Sequence, residues 1–388
     1  MVSSMNLNEL AICSFGIQAK DLAGRAEHLM DGTPLNQEIV LQCWQGIKNY
    51  PLSKMQKDYL RNRLLAQQVV PALWRILRPT IAIYRWPNNE LRYFLVSADG
   101  HLLEDQSSEQ FFPYFPILKK NNDNQWVLSG HGRQIDAPHL DLCWLPQNHN
   151  YSHFLCDYLG PCLALKAWVG INGSLPLLYC EPWQAWQKEY LKRLPLNYVK
   201  VPSPHAGELM FVRPGSVRIP MLPSVMQSQL TLRSWLHQNI AISPESNVLP
   251  KIPILIERTG HKQKRIRNLN ELQLLVRAYG GLSVDPTSLS LQQRLELFRQ
   301  ASLIIGDGSS SMNFILFASN DCHYIGLCDP ESIINNHYLE GGWPYTHLIA
   351  SRSTFIVGKD TSQLPGSTLG SSIYSTSLIE NTLQSFLK

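Results

Sequence analysis

The sequence predicts an α/β fold with a parallel sheet, and two stretches carry that prediction. In the last third, strand-length apolar runs alternate with helical patterns: "IPILIE", "NLNELQLLVRAYGG", "LSVD", "SLQQRLELFRQA", "SLIIG" and "HYIGLC". Earlier, "PLLYC", "EPWQAWQKEYLKRL" and "NYVKV" form one strand–helix–strand unit. Such alternation implies parallel strands covered by helices, with ligands bound outside the carboxyl ends of the strands. The last third therefore reads as a Rossmann-like domain.

Each element has a local reason. From about Gln37 to Leu77 apolar residues recur three and four apart, which reads as a helical N-terminal region over 1–79. Its basic set, Lys54, Lys57, Arg61, Arg63, Arg75 and Arg78, is either a solvated helix face or a contact for anionic lipid headgroups. From Ile81 the texture changes to short extended pieces, and Asp99-Gly100 is a hairpin signal between apolar runs. The helix after "PLLYC" begins at Pro182, where a missing N–H costs nothing. "SPHAGELMFVRPGSVRIPMLPS" has no clear period, "QSQLTLRSWLHQNI" is helix-like, and "SPESNVLPK" reads as a linker near 240 to 250. Domains over 80–240 and 241–388 follow. In the second, Asn268 with Glu271 and Ser290 with Gln293 are capping-box pairs, and Gly280-Gly281 ends the first of these helices. "LPGSTLGSSIYSTS" reads as a loop before a final helix.

Composition narrows the function. A chain of 388 residues is long enough for two cores, and its 44% apolar content is that of a globular protein. Lys+Arg number 34 against 30 Asp+Glu, so no strong positive field is available for nucleic acid. The eight cysteines form no C-x-x-C pair and mostly lie in apolar runs, as reduced core thiols do. The N-terminus lacks a basic start followed by an apolar core, and eighteen apolar residues never run together. A cytoplasmic protein is expected.

Three segments could carry chemistry. Gly306-Asp307-Gly308-Ser309-Ser310-Ser311-Met312-Asn313 joins a strand to a helix, whose first turn offers free N–H groups to an anion. Capping serines on an ordinary turn explain the same residues, and Asp307 would repel phosphate unless a cation or hydroxyl lies between. Arg258, Lys262, Lys264, Arg265 and Arg267 follow "IPILIE", at the carboxyl end of a strand in the same sheet. Arginine forks hold phosphate bidentately, so the two segments together suggest a diphosphate pocket; the alternative is a solvated basic loop, the better reading for any single lysine in it. In "NHNYSHFLCDYLGPC", His153 and Asp157 stand four apart on one helix face, beside the kink that Pro161 imposes. They are either an oriented general base or a polar pair that holds the kink. His205, His261, His337 and His347 lack metal spacing, and no D-x-D pair occurs, so a bridging divalent cation is not indicated.

In this order the segments resemble glycosyltransferase family 61, whose members carry an "HW-x-x-D-x-L-P" helix, an "R…R-x-x-N-E" segment and a "G-x-H-G-A-G-x-x-N" loop. Here they stand as His153 to Pro161, as Arg258 with Arg265-Ile266-Arg267-Asn268, and as Asp307 to Asn313. The resemblance runs from about Ile81 to the C-terminus. It departs at Asp307, where the family has histidine, and at the serines, where it has small residues. It implies a GT-B architecture of two Rossmann-like domains facing a cleft. It also implies a metal-independent, inverting transferase that uses no cofactor and moves a hexosyl or pentosyl group from a nucleotide sugar to a glycan or lipid-linked glycan. The donor site would comprise Arg258, Arg265, Asn268, Asp307, Gly308, Ser309, Ser310, Ser311 and Asn313, with His153 and Asp157 near the acceptor hydroxyl. Bacterial surface-polysaccharide (capsule) assembly at the inner membrane face is the closest setting. The alternatives are a noncatalytic nucleotide- or glycan-binding module, and a nucleotide-sugar epimerase or hydrolase on the same plan.

Overall fold

The computed structural model describes residues 25–31, 38, 53–55, 57–58, 72–87, 91–103, 116–122, 124, 126–143, 151, 154–160, 162–163, 177–180, 183–194, 197–221, 225–240, 251–257, 265–307, 310–330, 349–350, 352–363 and 370–387. The chain forms two compact units, Met1–Leu35 with Ala66–Thr231, and Asn36–Leu65 with Leu232–Lys388.

The first unit is built on a mixed sheet of eight strands among the described residues. In chain order these are β1 (Glu27–Asp31), β2 (Ala72–Leu77), β3 (Thr80–Arg85) and β4 (Leu91–Val96), followed, after the small β5 (Leu118–Lys120) and β6 (Trp126–Leu128) hairpin, by β7 (Arg133–Cys143), β8 (Leu177–Cys180), β9 (Tyr198–Val201) and β10 (Leu209–Met221). β10, β7, β8 and β9 are parallel neighbours, and β8 and β9 flank helix α1 (Ala185–Leu191) as the strand–helix–strand pattern predicts. The other side of β10 is antiparallel, so this sheet is only partly Rossmann-like: β2 pairs with 216–221 and β3 with 209–212, placing them end to end. Ala72–Leu77 is therefore a strand, not the end of a helix. Its residues alternate between the two sheet faces, and Pro71 just before it cannot continue a helical ladder. The hairpin signal holds: Gly100 has φ 84°, Ser97 N–H donates to His101 O at 2.9 Å, and Val96 bridges Leu102.

Three neighbouring strands of this sheet are interrupted along one line. Arg78, between β2 and β3, has φ 51° and donates its N–H to Gly215 O at 2.9 Å. β10 changes register against β7 between Pro214 and Ser216, and a Cβ on Gly215 would lie 2.2 Å from Pro138 O. Proline is tolerated inside this inner strand because the ladder is already broken there. The alternation predicts two apolar faces, and both are buried. Ile81, Ile83, Leu95, Met210, Val212 and Leu142 pack on one face; Ala82, Tyr84, Phe94 and Leu209 pack on the other with Leu118 and Trp126 of the small hairpin.

The second unit is the expected parallel sheet. Helix α2 (Val225–Asn239) leads into it; β11 (Ile252–Ile256), α3 (Leu269–Ala278), β12 (Leu282–Val284), α4 (Leu291–Arg299), β13 (Ala301–Asp307), a 3₁₀ helix (Ser310–Phe317), β14 (His323–Cys328) and β15 (Ser353–Val357) follow. The strand order β12-β11-β13-β14-β15 is wholly parallel, with its topological switch between β11 and β13. α4 starts on the expected capping box: Gln293 N–H donates to Ser290 Oγ at 3.2 Å, and Ser290 N–H to Gln293 Oε1 at 2.9 Å. A two-stranded ladder of β16 (Lys359–Gln363) and β17 (Gly370–Ile373) precedes the final helix α5 (Thr376–Leu387). Ile379 and Leu383, four apart on α5, are fully buried against Leu255, Leu303, Ile305 and Leu327. Each such side chain contributes about 1.5–3 kcal/mol by leaving water.

Candidate functional site

Ligands of open parallel sheets bind at the carboxyl ends of the strands flanking the switch point, which here means the segments after β11 and β13. β13 is buried along nearly its whole length, so its final residue, Asp307, ends up only 4% exposed. An isolated carboxylate at such a depth would cost several kcal/mol. Arg265, from the segment after β11, compensates it: Nη1 lies 3.2 Å from Asp307 Oδ2, with side-chain exposures of 14% and 5%. Asp307 is therefore paired with a cation at the strand end.

Arg265 is held by its own backbone. Ser372 N–H donates to Arg265 O at 2.9 Å, Arg267 N–H donates to Ser372 O at 2.9 Å, and Ile266 forms a parallel bridge with Ser372. Asn268 extends the docking with its side chain: Nδ2 donates to Tyr374 O at 2.8 Å, and Oδ1 accepts from Tyr374 N–H at 3.0 Å. Asn268 also donates to Glu271 Oε2 at 3.2 Å, but its side chain does not cap α3. The expected capping box is thus replaced by a bridge to the C-terminal segment. An amide that already satisfies a neighbouring peptide on both sides gains little by turning back to its own helix.

Asp329, Ser371 and Ser372 are buried at the same edge. Burial pushes the Tyr374 phenol well above its ordinary value; Cys328, Asp307 and Asp329 push the same way, against a hydrogen bond with Ser372. Tyr374 therefore stays protonated, beside two buried carboxylates. No signal in the sequence marked it, because it lies in a stretch that reads as a polar loop.

After Asp307 the chain enters the 3₁₀ helix, tighter than the α-helix the sequence suggests, with Met312 and Asn313 buried. Its last carbonyls are held from α2. Arg233 Nη1 donates to Ile315 O and Nη2 to Asn320 Oδ1, both at 2.8 Å, and His237 Nε2 lies 3.1 Å from Leu316 O. Arg299 Nη2 is 2.9 Å from His237 Nδ1. Arginine has no acceptor, so His237 accepts at Nδ1 and donates from Nε2, a neutral tautomer. Burial first, then the charge of Arg233, lowers the His237 pKa to about 4. Arg233 and His237 stand four apart in "LRSWLHQ", and that spacing is the only trace of the anchor in the sequence.

In the first unit, Phe154–Leu159 forms a π-helix that ends two residues before Pro161. An α-helical ladder would lack a donor there, and π-turns are common at functional sites. Phe154 and Tyr158 stack at 5.5 Å, and Trp183, Trp186 and Tyr190 surround Phe154. The Tyr158 hydroxyl is fully buried with no hydrogen-bond partner among the described residues.

Of the residues singled out in the sequence, Arg265, Asn268 and Asp307 are thus brought to one edge of the second sheet. Asn313 is buried in the 3₁₀ helix that leaves the same strand end. Ser310 and Ser311 lie in its first turn, but their side chains, like that of Asp157, are outside the described residues, as are His153, Arg258, Gly308 and Ser309.

No curated protein was found to match the chain. Residues 151–325 match the family model described as Glycosyltransferase 61. The matched stretch contains all three motif segments and supports glycosyltransferase family 61, and with it a glycosyltransferase.

Proposed function

We propose that the protein is an inverting, metal-independent glycosyltransferase that transfers a sugar from a nucleotide-sugar donor to a glycan acceptor, with its two units arranged as in GT-B enzymes. The observation that carries this reading is the Arg265–Asp307 pair at the switch point of a parallel sheet, inside the stretch that matches the family model. The positive charges of Arg265 and Arg258 would neutralise the leaving diphosphate as the glycosidic bond breaks. The acceptor oxygen attacks the anomeric carbon and its proton passes to the His153–Asp157 pair; the bond to the diphosphate oxygen breaks, and the nucleotide diphosphate leaves. Donor-binding roles for Asp307, Gly308 to Ser311 and Asn313, a bacterial polysaccharide setting, a lipid-linked acceptor and cytoplasmic work at the membrane face belong to the same proposal; Asn268, whose amide is engaged by Tyr374, would serve the donor edge without touching the donor.

The test is a thermal-shift panel of uridine, guanosine, cytidine and thymidine diphosphates and their sugars, with and without chelator, followed by transfer assays. Stabilisation by one nucleotide that survives the chelator and is lost in Arg265→Ala supports the reading. No shift with any nucleotide at millimolar concentration overturns it.

A further inference from the structure

We infer that Asn268 is a positioning residue: it fastens the C-terminal segment 370–374 to the arginine segment and thereby sets Arg265 against Asp307. Four hydrogen bonds of 2.8 to 3.0 Å make the joint, two between the backbones of 265–267 and Ser372 and two from the Asn268 amide to Tyr374. The Asn268 side chain meets both the N–H and the C=O of one peptide residue, as a neighbouring strand would. It therefore completes a bridge that the backbone of 265–267 begins and cannot extend, because the chain turns into α3 at Leu269. Ser372 is fully buried and Tyr374 is 2% exposed, so the joint lies in a packed region and admits few other arrangements.

Residues 370–374 lie beyond the stretch that matches the family model, which ends at 325. The donor edge of the sheet is thus finished by a part of the chain outside the family match. Arg265 is fixed on its carbonyl side by Ser372, and the Asn268–Tyr374 bridge fixes the direction in which that segment runs. This role deepens the transferase reading and rests on it for the donor; the placement of Arg265 is measurable without any donor.

The experiment uses the full chain with Asn268→Ala, and with the milder Asn268→Asp, which keeps an acceptor for Tyr374 N–H but loses the donor to Tyr374 O. Amide exchange is measured at Ser372 and Tyr374, and the coupling between Arg265 and Asp307 is measured by a double-mutant cycle in each background. We expect faster exchange and loss of the Arg265–Asp307 coupling in Asn268→Ala, with Asn268→Asp intermediate. Unchanged exchange overturns the joint, and faster exchange with the coupling intact overturns the positioning role. In transfer assays the donor KM rises about tenfold to a hundredfold while kcat changes less than about twofold, since misplaced binding groups weaken positioning before chemistry. If the wild-type chain neither binds nor transfers any nucleotide sugar, the transferase reading falls, while the cycle still decides what Asn268 does.

Discussion

Replacing Arg265 by methionine leaves the Asp307 carboxylate buried with its cation removed. At 3.2 Å and an effective dielectric of about 20, the attraction between the two charges is about 5 kcal/mol. Desolvation offsets part of that gain, and breaking a buried pair by removing one member costs about 3–5 kcal/mol. Asp307→Asn leaves the guanidinium, which is more exposed than the carboxylate, and should cost less, about 1–3 kcal/mol. The double variant Arg265→Met with Asp307→Asn removes both charges and should cost only about 1–3 kcal/mol, so that the cycle gives a coupling of about 3–5 kcal/mol. Native-state amide exchange along β13 reads the stability of the second unit directly, and a loss of this size lowers its melting temperature by about 6–20 °C. If both single variants stay within about 0.5 kcal/mol of wild type and their effects add, the pair is solvated, and the argument that it neutralises the strand end is wrong.

Two further outcomes are expected. The folded-state value for His237 is about 4 against the ordinary 6.5, so the unfolded chain takes up the proton first as pH falls. The stability that depends on a neutral ring is fully present above 6.5 and is lost between 6.5 and 4. That gap corresponds to about 3 kcal/mol, and solvent around the partly exposed ring screens it to about 1–2 kcal/mol. Comparing urea midpoints of wild type and His237→Gln across this window isolates the contribution from that of His323, which burial and Arg352 also lower; equal slopes would refute it. Gly215→Ala places a methyl 2.2 Å from the Pro138 carbonyl oxygen, a backbone atom that cannot swing aside. A loss of about 1–3 kcal/mol is expected, visible as faster amide exchange in β10, and unchanged exchange would show that the bulge relaxes freely.

The second unit was largely legible because its strands are buried on both faces and its helices carry their caps. "IPILIE" and "SLIIG" are uninterrupted apolar runs, and Ser290 with Gln293 caps as its spacing says. The first unit hid its central strand. β10 carries Arg213, Pro214, Gly215, Arg218 and Pro220, which destroy the alternation; of these, Pro214 and Gly215 fall where its register against β7 shifts. In the sequence Ala72–Leu77 blends into the preceding helical pattern, since a short apolar run fits either period. Within the site, Arg265 and Asp307 were each visible, but their pairing depends on β11 and β13 being neighbours with their carboxyl ends together. In the sequence Asn268 reads as a cap, because a local partner is all that spacing can show. Its actual partner, Tyr374, is 106 residues away.

The late position of Ile379 and Leu383 sets an order of events during synthesis. The ribosome can release "IPILIE", "LSVD" and "SLIIG" as complete strands, yet the apolar floor under β11 and β13 stays open until α5 has emerged. Translation proceeds at about 5–20 residues per second, so for several seconds the nascent sheet exposes Leu255, Leu303 and Leu327 to whatever else is near. A parallel sheet is slow to close in any case, because each strand must wait for a crossover to return. Chaperone demand should therefore peak in the interval between the emergence of β14 and that of α5.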